Sequence, residues 1–516
     1  MSTVTEKAAV ERQGVPHYRM FIGGEWVDSD ERYEVIDPAT EELVATAAKG
    51  TTAHADAAVA AAKRSFEEGT WRDTPPVERA AVLDRVLATL ASRMDELAEL
   101  GSRECGFPLR LSQAISVGFP LMHIQHFADL TRAYQWERPG PVSGQVLNAQ
   151  LVRREPIGVC LGIVPWNFPL VLGAWKAIPA LAAGNSVVIK VDEKTPTAQL
   201  ELAVMLRDAG LPDGVYNVVT GDGETVGSHL VAHPDVRKVS FTGSTEVGRE
   251  VMRTAADTIK KVTLELGGKG PNIVLDDADL DAAVDGSLYA FLLHAGQACE
   301  SGTRLLLPTS LHDEFVERLI ARLKTLKIGN PLDPATDIGP VMSAVQRDRI
   351  LGYIERGKKE GATLAHGGTS PGGPGFEKGF WVEPTVFTDV TNDMCIAREE
   401  IFGPVLSVLR YDSLDEAVKI ANDTEYGLSA GVWSQDVQRA LDVARRLQAG
   451  SVWINDWHNI SEHMPFGGYK QSGNGRELGP DALDEFTEEK AITIDLTGHV
   501  SRRAYGLVIG TPPATA

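Results

Sequence analysis

Between Gly158 and Gly267 short apolar runs alternate with helical stretches, and this alternation constrains the chain more than any other feature. Val159–Val164 is apolar, Leu170–Ala183 reads as a helix ending at Gly184, and Ser186–Lys190 as a strand. Thr197–Ala209 reads as a helix and Val215–Val219 as a strand, followed by Gly221-Asp222-Gly223 and a helix to Ala232. Lys238–Thr242, Gly243-Ser244, a helix over Thr245–Ala255 and a strand at Val262–Leu266 complete the series. Apolar strands separated by helices form a parallel sheet covered on both faces. Such sheets bind ligands beyond the carboxyl ends of their strands. That rule singles out Trp166, Asn167, Lys190, Gly221–Gly223, Gly243, Ser244 and Glu265.

A second series follows, so the expected class is α/β. Its strands are Asn272–Leu275, Thr303–Pro308, Val405–Leu409 and Gly431–Trp433. Its helices are Asp279–Leu293, Asp313–Leu326, one from Leu414 and one ending near Leu447. Upstream, Leu83, Leu87, Leu90, Met94 and Leu97 recur three or four apart and predict one amphipathic helix over Val77–Leu100. Ala491–Leu496 alternates as a strand does, with no hairpin partner after it, and is expected to pair with a distant strand or another subunit. A length of 516 residues, 43% hydrophobic, accommodates about two to four domains.

The net charge of -21 repels phosphate backbones, which argues against nucleic acid and anionic membrane as partners. The long apolar stretch Leu170–Ile189 is interrupted by Lys176, Pro179 and Asn185, unlike a membrane span. The N-terminus has no apolar segment behind a basic start, so no secretory signal is expected. Cys105, Cys160, Cys299 and Cys395 form no CxxC pattern, and a reducing cytoplasm is the expected compartment. His123 and His126 form a weak pair without further ligands, and no metal is expected.

Cys299 stands out among the cysteines. In GQACESG it follows a helix ending near His294, on a loop bracketed by Gly296 and Gly302, with polar Gln297 and Glu300 beside it. A lone cysteine is ordinarily a small hydrophobe, but a loop exposes sulfur, and the thiolate is the reactive form. Glu265 in VTLELGGKG is an acid in an apolar strand. It either faces solvent by alternation or is buried with a raised pKa that suits a general base. Asn167 in PWNFP is either a capping residue or an amide donor to an oxyanion. In VSFTGSTEVG a glycine turn opens a helix whose N-terminus attracts phosphate; it is not the GxGxxG fingerprint, and alone it is a weak signal.

Taken together, these pieces resemble the aldehyde dehydrogenase superfamily from about Met20 to Leu496. Six segments occur in the family's order: Pro165–Pro169, Phe241–Gly248, Leu264–Lys269, Gly296–Cys299, Glu399–Val405 and Pro465–Gly479. The resemblance implies that Cys299 is the nucleophile, Glu265 the general base and Asn167 the oxyanion donor. It implies NAD as cofactor, held by Ile163, Trp166, Lys190, Glu193, Gly223, Gly243, Ser244, Gly248, Glu400 and Phe402. Glu193 is expected to favour NAD over NADP. The implied substrate is a small-molecule aldehyde, with Leu172 and Trp175 lining its tunnel, Trp457, His458 and Phe466 near the mouth, and Glu300 and Glu462 nearby. A general hydrophobic tunnel and a site for a cationic aldehyde both remain open, since the segment from Ile454 is similar to betaine-aldehyde and aminoaldehyde dehydrogenases.

The implied fold has two doubly wound parallel-sheet domains and a small β bridging element. Residues 1–133 and 155–267 would form the NAD-binding domain and 268–475 the catalytic domain. Residues 134–154 and 482–500 would form the bridging element of a homodimer or homotetramer, and 501–516 a tail. Departures from the family pattern are Val191 where Pro is usual, Asp192 where Ser or Ala is common, and Glu300 where a small residue usually follows the nucleophile. Glu300 is expected to face outward or to shape substrate choice, because a carboxylate facing in would raise the sulfur's pKa. A competing class, a non-redox thiolate acyltransferase or hydrolase, would leave the Phe241–Gly248 turn and Glu193 without a purpose.

Overall fold

The computed structural model describes residues 7–12, 14–141, 147–498 and 505–510. Among them the strands form four sheets. The first holds the predicted series, with Val159–Ile163 at its centre. Ser186–Lys190 and Tyr216–Val219 lie to one side, Val236–Thr242 and Lys261–Glu265 to the other, and all five are parallel. The chain therefore reverses its direction of strand addition between Val159–Ile163 and Val236–Thr242, opening a crevice at their carboxyl ends. Antiparallel strands extend both edges: Met20–Ile22 and Glu25–Val27 on one, Gly473–Asn474 on the other. Every residue of the helix Pro169–Ala182 is buried against this sheet and its neighbours.

A second sheet carries Pro271–Val274, Arg304–Pro308, Thr385–Thr388, Val405–Tyr411, Ser429–Trp433 and Ser451–Ile454 in parallel, with Thr363–His366 antiparallel at one edge. It has its own apolar core, built around residues such as Ile273, Leu306, Phe315 and Leu406. A small four-stranded sheet formed by Ala9–Arg12, Val15–Tyr18, Arg32–Ile36 and Leu43–Ala48 was not predicted.

The C-terminal strand finds a distant partner in its own chain. Thr487–Asp495 pairs antiparallel with Asn148–Pro156 along its full length, and Glu137–Pro139 completes a three-stranded sheet. Residues 142–146, 499–504 and 511–516, which hold parts of the expected bridging element and tail, lie outside the described residues. The single helix expected over Val77–Leu100 is two, Pro76–Ser92 and Met94–Cys105. Arg93 leaves the helical region at φ −109°, ψ 14°, and its guanidinium pairs with Glu96 and Glu201. The break still lets Leu83, Leu90 and Leu97 all reach the core. Among the described residues no helix is long and apolar enough to cross a membrane.

Candidate active site

The loop carrying Cys299 is shaped by a sharp reversal. The helix Leu280–Leu292 gives way to a turn in which His294, Ala295 and Gly296 have φ of 51°, 53° and 75°. Non-glycine residues pay roughly 1–2 kcal/mol each for this left-handed conformation, so the surroundings must enforce it. Gln297 does so: its Nε2 donates to the His294 carbonyl at 3.0 Å and its Oε1 accepts from Met342 N–H at 2.8 Å. The His294 ring also stacks on Phe107 at 4.0 Å. The sequence placed a helix end here but gave no sign of the left-handed pair. Of the four free cysteines, Cys299 alone is partly exposed.

Asn167, on the loop between Val159–Ile163 and Pro169–Ala182, is tied to the same loop. Its Nδ2 donates to the Gln297 carbonyl at 3.0 Å. A side-chain amide has two N–H groups, so a second remains to meet an oxyanion. Glu265 ends its strand in register with Thr242, and its carbonyl accepts from Gly243 N–H at 3.1 Å. Its carboxyl is buried, with no hydrogen-bond partner on either oxygen. Burial first and the nearby Glu477 carboxylate second push its pKa well above the usual carboxyl value, against smaller opposing effects of Lys176 and Arg476.

Two glycines bring these parts together. A Cβ on Gly268 would lie 2.3 Å from the Cys299 carbonyl oxygen, and one on Gly267 would lie 2.3 Å from Glu400 Oε2. The LELGGK segment thus presses Glu265, the Cys299 loop and Glu400 into one region, which only residues without a side chain allow. Gly268 N–H donates to Glu400 Oε1 at 3.0 Å, and burial raises the pKa of this carboxyl to about 7.

The crevice beside these groups has the donor set a dinucleotide needs. Ile163, Lys190 and Phe241 are neighbours at the strand ends, in paired register. Lys190 Nζ is buried and lies 4.0 Å from Glu193 Oε2, while Lys194 also pairs with Glu193 at 3.0 Å. After Gly243, Ser244 Oγ accepts from Val247 N–H and caps the helix Thr245–Ala256, whose positive end faces the crevice. The Thr242 hydroxyl is buried without a partner at the same place. Trp166 and Phe402 meet edge to face at 5.3 Å, and Phe402 is held at φ 60°. Gly223 opens a turn capped by Asp222, with open space where a side chain would stand. Gly248 has a packing role: a Cβ there would lie 2.5 Å from Leu266 Cδ2.

The aldehyde dehydrogenase family model matches residues 26–492. The chain belongs to this family. A betaine aldehyde dehydrogenase of Bacillus subtilis (strain 168) is 42% identical over 481 residues, which are 92% of this chain and 96% of that protein. A Staphylococcus aureus betaine aldehyde dehydrogenase solved in complex with NAD+ is 38% identical, with a TM-score of 0.91 over 93% of this chain and 95% of that one. An aldehyde dehydrogenase from Bacillus cereus, solved as its NAD+ complex, is 42% identical, with a TM-score of 0.89 over 93% of this chain and 96% of the other.

In this aldehyde dehydrogenase a cavity opens beside Cys299. Phe119, Phe168, Leu172, Trp175 and Phe466 make most of its wall, with Ile115, Val171, Leu293 and Ile460, and its other polar walls are Glu300 and His458. Glu300 takes the second of its two expected places, on the cavity wall, whereas Trp457 and Glu462 lie off that wall. Glu300 does not face outward: it is 5% exposed and its Oε2 lies 3.3 Å from Cys299 Sγ. Trp457 is seated behind the cavity, where its ring packs over Gly270, Gly302 and Gly431 and its Nε1 donates to the Glu300 carbonyl at 2.9 Å. The small glycines make room for the indole there, and the neighbouring His458, expected near the mouth, lies on the cavity wall. Glu462 is likewise absent from the wall and pairs with His463. His123, one of the two histidines weighed for metal, accepts the Trp175 indole N–H at 2.7 Å.

Proposed function

We propose that this aldehyde dehydrogenase oxidises an aldehyde to its carboxylic acid through a thioester on Cys299, with NAD as cofactor. The observation that carries the reading is the meeting of a partly exposed cysteine, a tethered amide and a buried carboxyl beside a crevice suited to a dinucleotide. When bound there, NAD supplies the acceptor for the hydride that leaves as the carbonyl re-forms. Lys190 and Glu193 would hold its adenosine ribose, Gly243 and Ser244 its pyrophosphate, Glu400 and Phe402 the nicotinamide end.

Cys299 Sγ adds to the aldehyde carbon, giving a thiohemiacetal oxyanion. The free N–H of Asn167 and the backbone N–H of Cys299 receive that oxyanion; one such donor is worth about 3–4 kcal/mol in the transition state. After the thioester forms, Glu265 takes a proton from water, which attacks the acyl carbon and frees the acid. A buried carboxyl with no fixed partner is free to accept that proton, whereas one locked in a salt bridge would not be.

The aromatic and aliphatic wall favours an uncharged aldehyde. Glu300, the only carboxylate in that wall, is already engaged by Cys299 and His458. A cationic aldehyde is the second reading, because two of the relatives act, by name, on betaine aldehyde. NADH release measured across aliphatic, aromatic and quaternary-ammonium aldehydes decides between them. Absence of NADH with every aldehyde, alongside thioester hydrolysis, would favour the non-redox class.

We further propose the domain division stated above, 1–133 with 155–267 for NAD, 268–475 for catalysis, and the three-stranded sheet as the bridging element. Thr487–Asp495 is an edge strand with most of its side chains exposed, the kind of edge that a second copy covers in a homodimer or homotetramer.

A further inference from the structure

Glu300 is held more firmly than a cavity wall requires. Its carbonyl accepts from Trp457 Nε1–H and from Ser429 Oγ–H, each at 2.9 Å. Its carboxylate is gripped on both oxygens: Oε2 by Cys299 Sγ at 3.3 Å and Oε1 by His458 Nδ1 at 2.9 Å. A carboxylate only accepts, so the thiol S–H and the imidazole Nδ1–H are the donors. The ring of His458 is fixed in turn, edge to face on Tyr289 at 5.0 Å, and is 3% exposed. Sulfur, carboxylate and imidazole thus form a line, buried at Glu300 and His458 and partly exposed at Cys299, with the order nucleophile, acceptor, orienter.

Taking the thioester reading as given, we propose that Glu300, oriented by His458, accepts the Cys299 proton as the sulfur attacks and returns it when the thioester is cleaved. In the first step the S–H bond breaks and its proton passes to Glu300 Oε2. The sulfur pair forms the C–S bond and the carbonyl π pair moves onto oxygen. Between the two halves the oxyanion pair re-forms the carbonyl as hydride leaves to NAD. In the second half Glu265 takes a proton from water as the water oxygen bonds to the acyl carbon, the C–S bond breaks with its pair returning to sulfur, Glu300 gives its proton back to sulfur, and Glu265 releases its proton to solvent. Protons balance, and no co-reactant beyond the aldehyde, NAD and water is needed.

Other groups fit this division of labour. Burial, then Glu300, Glu265 and Glu400, push the Cys299 thiol well above its ordinary pKa, so little thiolate stands free and an acceptor at hand is useful. Burial first and Glu477 second push Glu265 up, whereas for Glu300 burial, the largest single effect, is outweighed by the combined hydrogen bonds and charge around it, His458 foremost, so that it lies below its ordinary value. Two carboxyls driven apart in this way serve two different proton transfers. The groups facing the pair are Cys299, His458, Tyr289 and, more remotely, Glu265 and Glu400.

Two readouts test the role. Rapid mixing with saturating NAD and the best aldehyde measures acylation as the NADH burst; iodoacetamide labelling of Cys299 without NAD measures thiol activation alone. Glu300→Gln is expected to slow the burst by about 100-fold or more. It is also expected to slow labelling near about pH 7, where the thiol is protonated, with the deficit shrinking as pH rises and the thiol ionises unaided. Glu300→Asp, which keeps an acceptor set back by one methylene, should fall between. His458→Asn should move the low-pH limb of the burst to higher pH, since Glu300 loses the bond that holds its pKa down. A burst in Glu300→Gln as fast as wild type, with faster labelling near neutrality, would overturn the proposal and leave Glu300 as a charge that merely repels thiolate. A His458→Asn limb that does not move would overturn the orienting part. No NADH from the wild type with any aldehyde would instead sink the thioester reading itself.

Discussion

Lys176 Nζ lies 2.7 Å from Glu477 Oε1, and neither side chain reaches solvent. The pair sits behind Glu265, where Glu477 raises the pKa of that carboxyl and Lys176 opposes the rise. Ser240 Oγ also donates to Glu477 at 3.1 Å. Removing one member of a buried ion pair leaves an uncompensated charge, at a cost of about 3–5 kcal/mol. Lys176→Met should therefore lower thermal stability sharply, and Lys176→Met with Glu477→Gln should recover much of it. Calorimetry of the two variants checks this; a single variant as stable as wild type would contradict it.

For Glu265 the sign of the pH dependence follows from its raised pKa. In the proposed mechanism the carboxylate form takes the water proton, so deacylation should rise with pH as the group titrates, well above the ordinary carboxyl range. Glu265→Gln should keep the NADH burst but slow steady turnover by about 100- to 10,000-fold. Stopped-flow absorbance separates the two phases. Wild-type turnover without a burst would remove Glu265 from the base role.

In the proposed mechanism Asn167 acts in the other half of the reaction. Asn167→Ala should slow the burst by about 100- to 1,000-fold, the cost of one oxyanion donor. Because the Asn167 amide also ties down the Gln297 carbonyl, iodoacetamide labelling of Cys299 should change little if the loss is one of oxyanion binding.

Cofactor choice should track Glu193. A carboxylate there accepts from ribose hydroxyls and repels a 2′-phosphate. Wild type should prefer NAD, and Glu193→Ser should narrow the preference by about tenfold or more, equal to about 1.4 kcal/mol. Paired kcat/KM values for NAD and NADP measure it.

Glu104 offers a stability test away from the site. It is buried, accepts from Thr197 N–H and Oγ–H at 3.1 and 2.8 Å, and burial raises its pKa to about 8. A carboxyl whose folded pKa lies above its unfolded value stabilises most below the unfolded pKa and loses that contribution as pH rises through the folded one. Against Glu104→Gln, wild type should lose relative Tm between about pH 4.5 and about pH 8 and then level off.

How far the sequence could be read depended on whether a residue's role was local. Strands such as Ser186–Lys190 and glycine turns such as Gly243-Ser244 are set by neighbours in the chain, and both stand where periodicity placed them. Lys176 announced itself as a charge in an apolar helix, but its partner, Glu477, is 301 residues away and no local pattern reveals it. Glu300 shows the same limit. Its identity was plain, but its direction is set by Trp457, Ser429 and His458, which arrive from a different part of the second sheet. Trp457 went astray for a related reason: the glycines that accept its indole, Gly270, Gly302 and Gly431, lie on three separate segments. The family motifs reach further than periodicity, because they point to a contact such as that of Gly268 with Glu400, 132 residues apart, that no local pattern shows.

The identity of the nucleophile is open to direct measurement. Glu265→Gln mixed with aldehyde and NAD, quenched in acid and digested, should yield an acyl mass on the peptide that holds Cys299, matched to the NADH burst and missing in Glu265→Gln with Cys299→Ser. An acyl group found on another residue, or full turnover in Cys299→Ser, would contradict thioester chemistry at Cys299.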